Sequence, residues 1–147
     1  GLADVLNNPA TTDGFANAYY FPNIQIELGQ LLRPLAHACM DISDGLLQDA
    51  AHIAKASKVT LLFEAAAIPT AAAFLHPDWW QSVSGGDDYQ LLFTAAQAQR
   101  SAINDLQQRF TGLRRVGQVL TAQAQAVQLE HDQKILSLPE QIGFQHF

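Results

Sequence analysis

The hydrophobic positions change period several times along this 147-residue chain. Ile24, Leu28, Leu31, Leu32 and Leu35 recur at helical spacing behind Pro22-Asn23, which predicts a helix over 24–35 that Pro34 distorts at its end. Residues 36–42 form a short apolar run, read as a buried strand. Leu46, Leu47, Ala50, Ile53, Ala54 and Ser57 then share one apolar or small face, while Gln48, Asp49, His52 and Lys55 share a polar one. This predicts a helix over 44–57 with Ser43 as its N-cap, since a serine hydroxyl can accept from free helix amides. Residues 59–63 read as the next strand, and 71–75 as weakly helical. Pro77-Asp78 start a turn that carries Trp79 and Trp80, one for the core and one for its rim. Residues 84–94 read as a glycine-rich loop running into a strand, 95–110 as a helix and 115–120 as a strand. Residues 126–130 and 134–138 pair as a hairpin around His131-Asp132-Gln133. At the start, 1–8 read as the tail of a helix closed by Asn7, Asn8 and Pro9, and 10–21 as a loop with a helical turn. Alternating strands and helices early, with antiparallel pairing late, predict one α+β domain of mixed α/β layers spanning 1–147.

Composition narrows the classes. Hydrophobic residues make up 48% of the chain, enough for a real core. The net charge of -6 disfavours nucleic-acid binding, which needs a basic footprint. It suits a cytoplasmic protein, or one that gathers carboxylates to hold cations. No apolar run is long enough to span a bilayer, so no membrane partner is expected. The single Cys39 excludes an internal disulfide and a multi-cysteine zinc site; inside an apolar run it reads as a small buried hydrophobe. No internal repeat, Walker loop or Ser-His-Asp signature appears. The chain opens on Gly1 inside an apparent helix tail, which suggests further sequence upstream.

Candidate chemistry lies in two acidic blocks. In the first, Asp41-Ile42-Ser43-Asp44-Gly45-Leu46, a strand ends on Asp41, and ligands of α/β sheets gather at that edge. Asp44 falls in the first helical turn, where the dipole favours its charged form, and Gly45 leaves room for a ligand at the backbone. A divalent ion can be held by Asp41, by Asp44 or by both, because Mg²⁺ takes one or two carboxylates plus water and phosphate oxygens. The same acids also serve simply as caps and dipole partners. In the second block, Gly85-Gly86-Asp87-Asp88-Tyr89, a plain turn explains Gly-Gly-Asp, but two adjacent acids repel and fit a turn less well. Two such blocks in one domain point to a shared site. The histidines carry less: His37, His76 and His131 show no ligand spacing, His52 sits on the wet helix face and His146 near the end. Arg114-Arg115 reads as a surface pair or a phosphate contact.

The two blocks in that order, with Gly117-Gln118-Val119-Leu120 and the closing Gly143-Phe144-Gln145-His146-Phe147, resemble the C-terminal domain of thiamine-monophosphate kinases over nearly the whole chain. The wider superfamily includes aminoimidazole ribonucleotide synthetase and selenophosphate synthetase. The resemblance implies an aminoimidazole ribonucleotide synthetase-like domain with a mixed sheet packed by helices. It implies transfer of the γ-phosphoryl group of ATP to thiamine monophosphate, giving thiamine diphosphate, with Mg²⁺ as cofactor. By the family pattern Asp41 and Asp44 would hold Mg²⁺, Ser43 would contact ATP, and Asp87 and Phe144 would contact the thiamine substrate. The family's N-terminal domain, with most metal ligands, much of the nucleotide site and the homodimer interface, is absent from this stretch, so the chain alone is expected to be inactive or nearly so. Two departures stand out. The basic Arg-Pro-x-Pro-Arg-like segment of the family is Phe21-Pro22-Asn23-Ile24-Gln25 here, and Asp87 stands where glutamate is common. The alternatives are a superfamily enzyme with another substrate and a non-catalytic ligand-binding domain.

Overall fold

The computed structural model describes residues 17, 20–70, 72–139 and 142–143. The helix tail expected over 1–8, and Phe144, lie outside the described residues. The elements run α1 (Ile26–Leu32), β1 (Ala36–Asp41), α2 (Leu46–Ser57), β2 (Val59–Glu64), α3 (Trp79–Ser84), β3 (Leu91–Ala95), α4 (Arg100–Arg109), β4 (Gly117–Thr121), β5 (Val127–His131) and β6 (Lys134–Leu136). Single 3₁₀ turns at Ala65–Ala67 and Gln97–Gln99 follow β2 and precede α4.

The strands form two sheets. β1 and β3 pair antiparallel, while the larger sheet has the order β4-β2-β5-β6. Within it β2 runs parallel to β5 and antiparallel to β4. The β5–β6 hairpin turns at Asp132 and Gln133, both in the left-handed region (φ 48° and 62°), as a two-residue turn between twisted strands requires. The layered α+β class is therefore as expected, and the parallel pair β2–β5 joins strands that lie far apart in the sequence.

Helix α2 carries the core because its apolar stripe is wide. Leu46, Leu47, Ala50, Ile53 and Ala54 are buried against Leu61 and Phe63 of β2, Val127 and Leu129 of β5, Leu92 of β3, and Trp79 and Val83 of α3. β2 is the most enclosed strand. Its buried Thr60 hydroxyl donates to the Gln125 carbonyl at 2.8 Å and accepts from the Gln123 amide at 2.9 Å, so burying it leaves no orphan. Trp79 is 2% exposed and Trp80 half-buried, the expected split between core and rim.

Several expectations change. β1 is not a buried strand: its residues alternate half-buried and exposed, because only one of its faces meets α2, and this leaves Cys39 exposed. The helix predicted over 24–35 is limited to Ile26–Leu32, with Ile24 exposed in the segment before it. The helix predicted over 95–110 starts only at Arg100, after the 3₁₀ turn. Residues 72–78 make turns and bends rather than the weak helix expected, with the non-glycine Leu75 at φ 76°. Among the described residues no helix is long and apolar enough to cross a membrane.

Candidate active site

The two acidic blocks meet. The β1–β3 ladder ends at the pair Asp41↔Leu91, but the hydrogen bonds continue beyond it. The Ile42 amide donates to the Gln90 carbonyl (2.8 Å), the Tyr89 amide to the Ile42 carbonyl (2.9 Å) and the Asp87 amide to the Ser43 carbonyl (3.0 Å). The backbones then close on each other at glycines. A Cβ on Gly45 would lie 2.7 Å from the Ser84 carbonyl oxygen, and Gly45 holds φ at 109°; a Cβ on Gly86 would collide with the Ser43 carbonyl. These glycines therefore serve chain-to-chain contact. The space that the sequence assigned to a ligand at Gly45 is filled by the second block.

The first block is also organised differently from the expectation. Helix α2 starts at Leu46 with Gly45 as N-cap and no side-chain cap, so Ser43 is not its N-cap and Asp44 precedes the first turn. The capping work passes to Asp49. Its Oδ2 accepts from the Ser43 amide at 2.9 Å and from the Asp44 amide at 3.0 Å. Asp49 is 1% exposed, although helical spacing put it on the wet face with Gln48, His52 and Lys55. A carboxylate near a helix start can reach back to the free amides before it, and charge-assisted bonds of that kind are stronger than neutral ones.

Ser43 is exposed and Asp44 half-buried, with Asp44 Oδ2 accepting from Gln48 Nε2 at 3.3 Å. Asp41 is exposed at the last position of β1. In the second block Asp87 is half-buried, and its Oδ1 accepts from the Tyr89 hydroxyl at 2.9 Å. Asp87 and Tyr89 both have positive φ (65° and 51°), a strained geometry for non-glycine residues that the crossing imposes. Asp88 is exposed as a residue, yet packing around its carboxyl, followed by the Asp87 charge, raises it above the ordinary carboxylate range. Gly143 packs on Gln48 and the Asp44 carbonyl, so the described chain returns to this junction.

Ser43, Asp44, Asp87, Asp88, Tyr89 and Gly143 all line one wide cleft of about 2050 Å³. Asp41 does not line it. Single ligand atoms of Asp44, Asp49 and His52 lie within 4.8 Å of one another, close enough to share a cation. One Asp49 oxygen is committed to two backbone amides, Asp44 Oδ2 accepts from Gln48, and Asp41 lies exposed at the end of β1. Carboxylates of this kind fit a hard divalent cation such as Mg²⁺ better than the imidazole of His52 does.

These features define the class: a layered α+β domain whose sheet edge presents carboxylates beside a wide cleft. Comparison with known proteins then specifies the relatives. The chain is 37% identical to the thiamine-monophosphate kinase of Salmonella typhimurium over 115 residues, which is 71% of this chain and 35% of that protein. It is 35% identical to the Haemophilus influenzae thiamine-monophosphate kinase over 103 residues, 64% of this chain and 31% of the relative. The crystal structure of the Stenotrophomonas maltophilia enzyme superposes with a TM-score of 0.72 at 32% identity, covering 91% of this chain and 46% of that one. A second solved structure, AaThiL complexed with AMPPCP and TMP, gives a TM-score of 0.71 at 25% identity over 99% of this chain and 46% of that one. No family model matches. In sequence and fold the chain is a thiamine-monophosphate-kinase-like domain, spanning about a third of the curated relatives above and just under half of the solved chains.

Proposed function

We propose that this chain is the C-terminal domain of an ATP-dependent kinase that phosphorylates thiamine monophosphate to thiamine diphosphate, and that its share of the site is the acidic junction. The observation that carries the reading is the convergence of the two blocks, which sets Ser43, Asp44 and Asp87 along one cleft. The likeness to thiamine-monophosphate kinases, one of them solved with AMPPCP, an ATP analogue, and TMP, supports it.

In this reading Asp41 and Asp44 hold Mg²⁺, Ser43 contacts ATP, and Asp87 with Phe144 contacts thiamine monophosphate. Bound Mg²⁺ neutralises charge on the phosphates, the main catalytic requirement of phosphoryl transfer. The chain's own residues position the partners. Asp49 holds the 43–44 backbone, and so fixes where the Asp44 carboxylate projects. The Tyr89 hydroxyl, bonded to Asp87 Oδ1, orients the second acid. The remaining length found in the relatives would complete the metal and nucleotide site and form a homodimer interface, in a cytoplasmic enzyme that binds neither nucleic acid nor membrane.

The test follows thiamine diphosphate by chromatography, with ATP, Mg²⁺ and thiamine monophosphate given to the complete protein that carries this chain. Product is expected from the wild type, and a loss of at least about 100-fold from Asp41→Asn and from Asp44→Asn. A folded protein that binds thiamine monophosphate without turning it over would replace this reading with a ligand-binding domain.

A further inference from the structure

We propose that Asp44, Asp49 and His52 form a Zn²⁺ site on the flank of helix α2. One ligand atom from each of the three lies within 4.8 Å of the other two. Among the described residues no other three His, Cys, Asp or Glu side chains gather this closely. The helix explains the grouping. Asp49 and His52 stand three residues apart in α2, so they are neighbours on one helical surface, and helical side chains lean toward the N-terminus. That lean brings His52 over Asp49. Asp49 in turn reaches back to the amides of Ser43 and Asp44, which brings the Asp44 carboxylate to the same place.

Position and unused donors set this trio apart from the cleft. Neither Asp49 nor His52 lines the cleft, and Asp44 is the one residue shared with it. Asp49 is 1% exposed, and its Oδ2 takes both backbone amides, while its Oδ1 accepts no hydrogen bond among the described residues. The sealed side-chain atoms that lack a partner are Trp79 Nε1 and His131 Nδ1, so Asp49 Oδ1 keeps a path to solvent. An oxygen without a partner on so buried a carboxylate is unfavourable, and a cation in front of it removes that cost. His52 is exposed and has no hydrogen bond or ion pair among the described residues. By contrast, His76 lies 3.7 Å from Asp78, and His131 lies 3.5 Å from Glu64.

The donor set selects the ion. Zn²⁺ takes histidine nitrogen and aspartate oxygen together, and three protein ligands leave a fourth position for water. Mg²⁺ demands a near-octahedral shell of oxygens, and imidazole favours the later d-block ions over it. Ligands of a tetrahedral zinc stand about 3.3 Å apart, so the donors have to close by no more than about 1.5 Å. An exposed, unpaired His52 does this by rotating its side chain. Two carboxylate charges outweigh the partial positive charge of the helix start. The site does not depend on the kinase reading, since it asks for neither nucleotide nor turnover.

The experiment is a titration of the full isotope-labelled chain with Zn²⁺, at neutral pH and in excess Mg²⁺, read by histidine ring nitrogens and backbone amides. Saturable shifts are expected at the His52 ring and at the amides of Asp44 and Asp49. His52→Gln and Asp44→Asn should each weaken the apparent affinity at least about tenfold, since losing a ligand costs no less than losing a residue that merely orients one. Neither variant touches the bonds from Asp49 to the 43–44 amides, and preserved dispersion of the core amides shows that each is folded. Zn²⁺ shifts that do not saturate, that centre on another histidine while His52 stays unmoved, or that persist unchanged in His52→Gln would overturn the proposal. Full displacement of Zn²⁺ from His52 by the excess Mg²⁺ would overturn the selectivity on which it rests.

Discussion

The four-stranded sheet and the two-stranded sheet share helix α2, yet different physics holds each in place. In the larger sheet, Leu61, Leu62, Phe63, Val127 and Leu129 are buried, and the sheet is fixed by the apolar area it removes from water. In the smaller one, β1 half-buries only alternate residues, and its far end is fixed by backbone contacts at Gly45 and Gly86 and by a buried carboxylate. The first arrangement tolerates changes of side chain that keep volume and polarity. The second depends on single atoms, and it is the one that presents the acids to the cleft.

Substitutions can separate the two regimes. The largest effect is expected from Leu129→Ala, fully buried in β5, which should cost about 3 kcal/mol in denaturant unfolding through the lost contacts and the cavity left behind. Gly86→Ala should come next. Its Cβ has no room beside the Ser43 carbonyl, so about 2.5 kcal/mol is expected, whereas Gly112→Ala, with nothing within 4 Å, should change stability by no more than about 0.5 kcal/mol. Equal tolerance at the two glycines would show that the crossing is not tight.

Asp49→Ala removes two charge-assisted bonds from part-buried amides and should cost about 2 kcal/mol, with Asp49→Asn costing less because its oxygen can still accept. If both were neutral in thermal melts, the block would be held by something other than Asp49. The smallest effect is expected at Asp88. Packing around its carboxyl and the Asp87 charge raise it above 3.8, so the folded chain holds this proton more tightly than the unfolded chain does. Stability contributed by the protonated form is present below 3.8 and is lost as pH rises through the raised value. Asp88→Asn should therefore melt slightly higher than the wild type at pH 7 and together with it at pH 3; a destabilised variant at pH 7 would reverse the sign.

Legibility followed the same division. The apolar stripe of α2, the β2 strand and the hairpin around Asp132-Gln133 were readable because burial imposes a period on the sequence. The convergence of the two acidic blocks was readable from their composition and from the family resemblance. The joint itself was not. A helical wheel gives Asp49 the direction of Gln48 and Lys55, and it cannot show that 43–44 fold back over that face. Nor does a glycine announce whether a ligand or another backbone lies against it; at Gly45 it is Ser84. Cys39 was misplaced because an apolar run cannot tell a strand covered on both faces from one covered on a single face.

The central claim is that neighbouring acids do two different jobs: Asp49 holds the backbone of the first block, and in the proposed function Asp44 meets the cation. Paramagnetic broadening of amide resonances by Mn²⁺, standing in for Mg²⁺, tests it in the wild type, Asp44→Asn and Asp49→Asn. The account predicts broadening centred on 41–44 that Asp44→Asn abolishes while the fold stays intact, and that Asp49→Asn only weakens. Broadening centred on His52, unchanged in Asp44→Asn and lost in a folded Asp49→Asn, would contradict it.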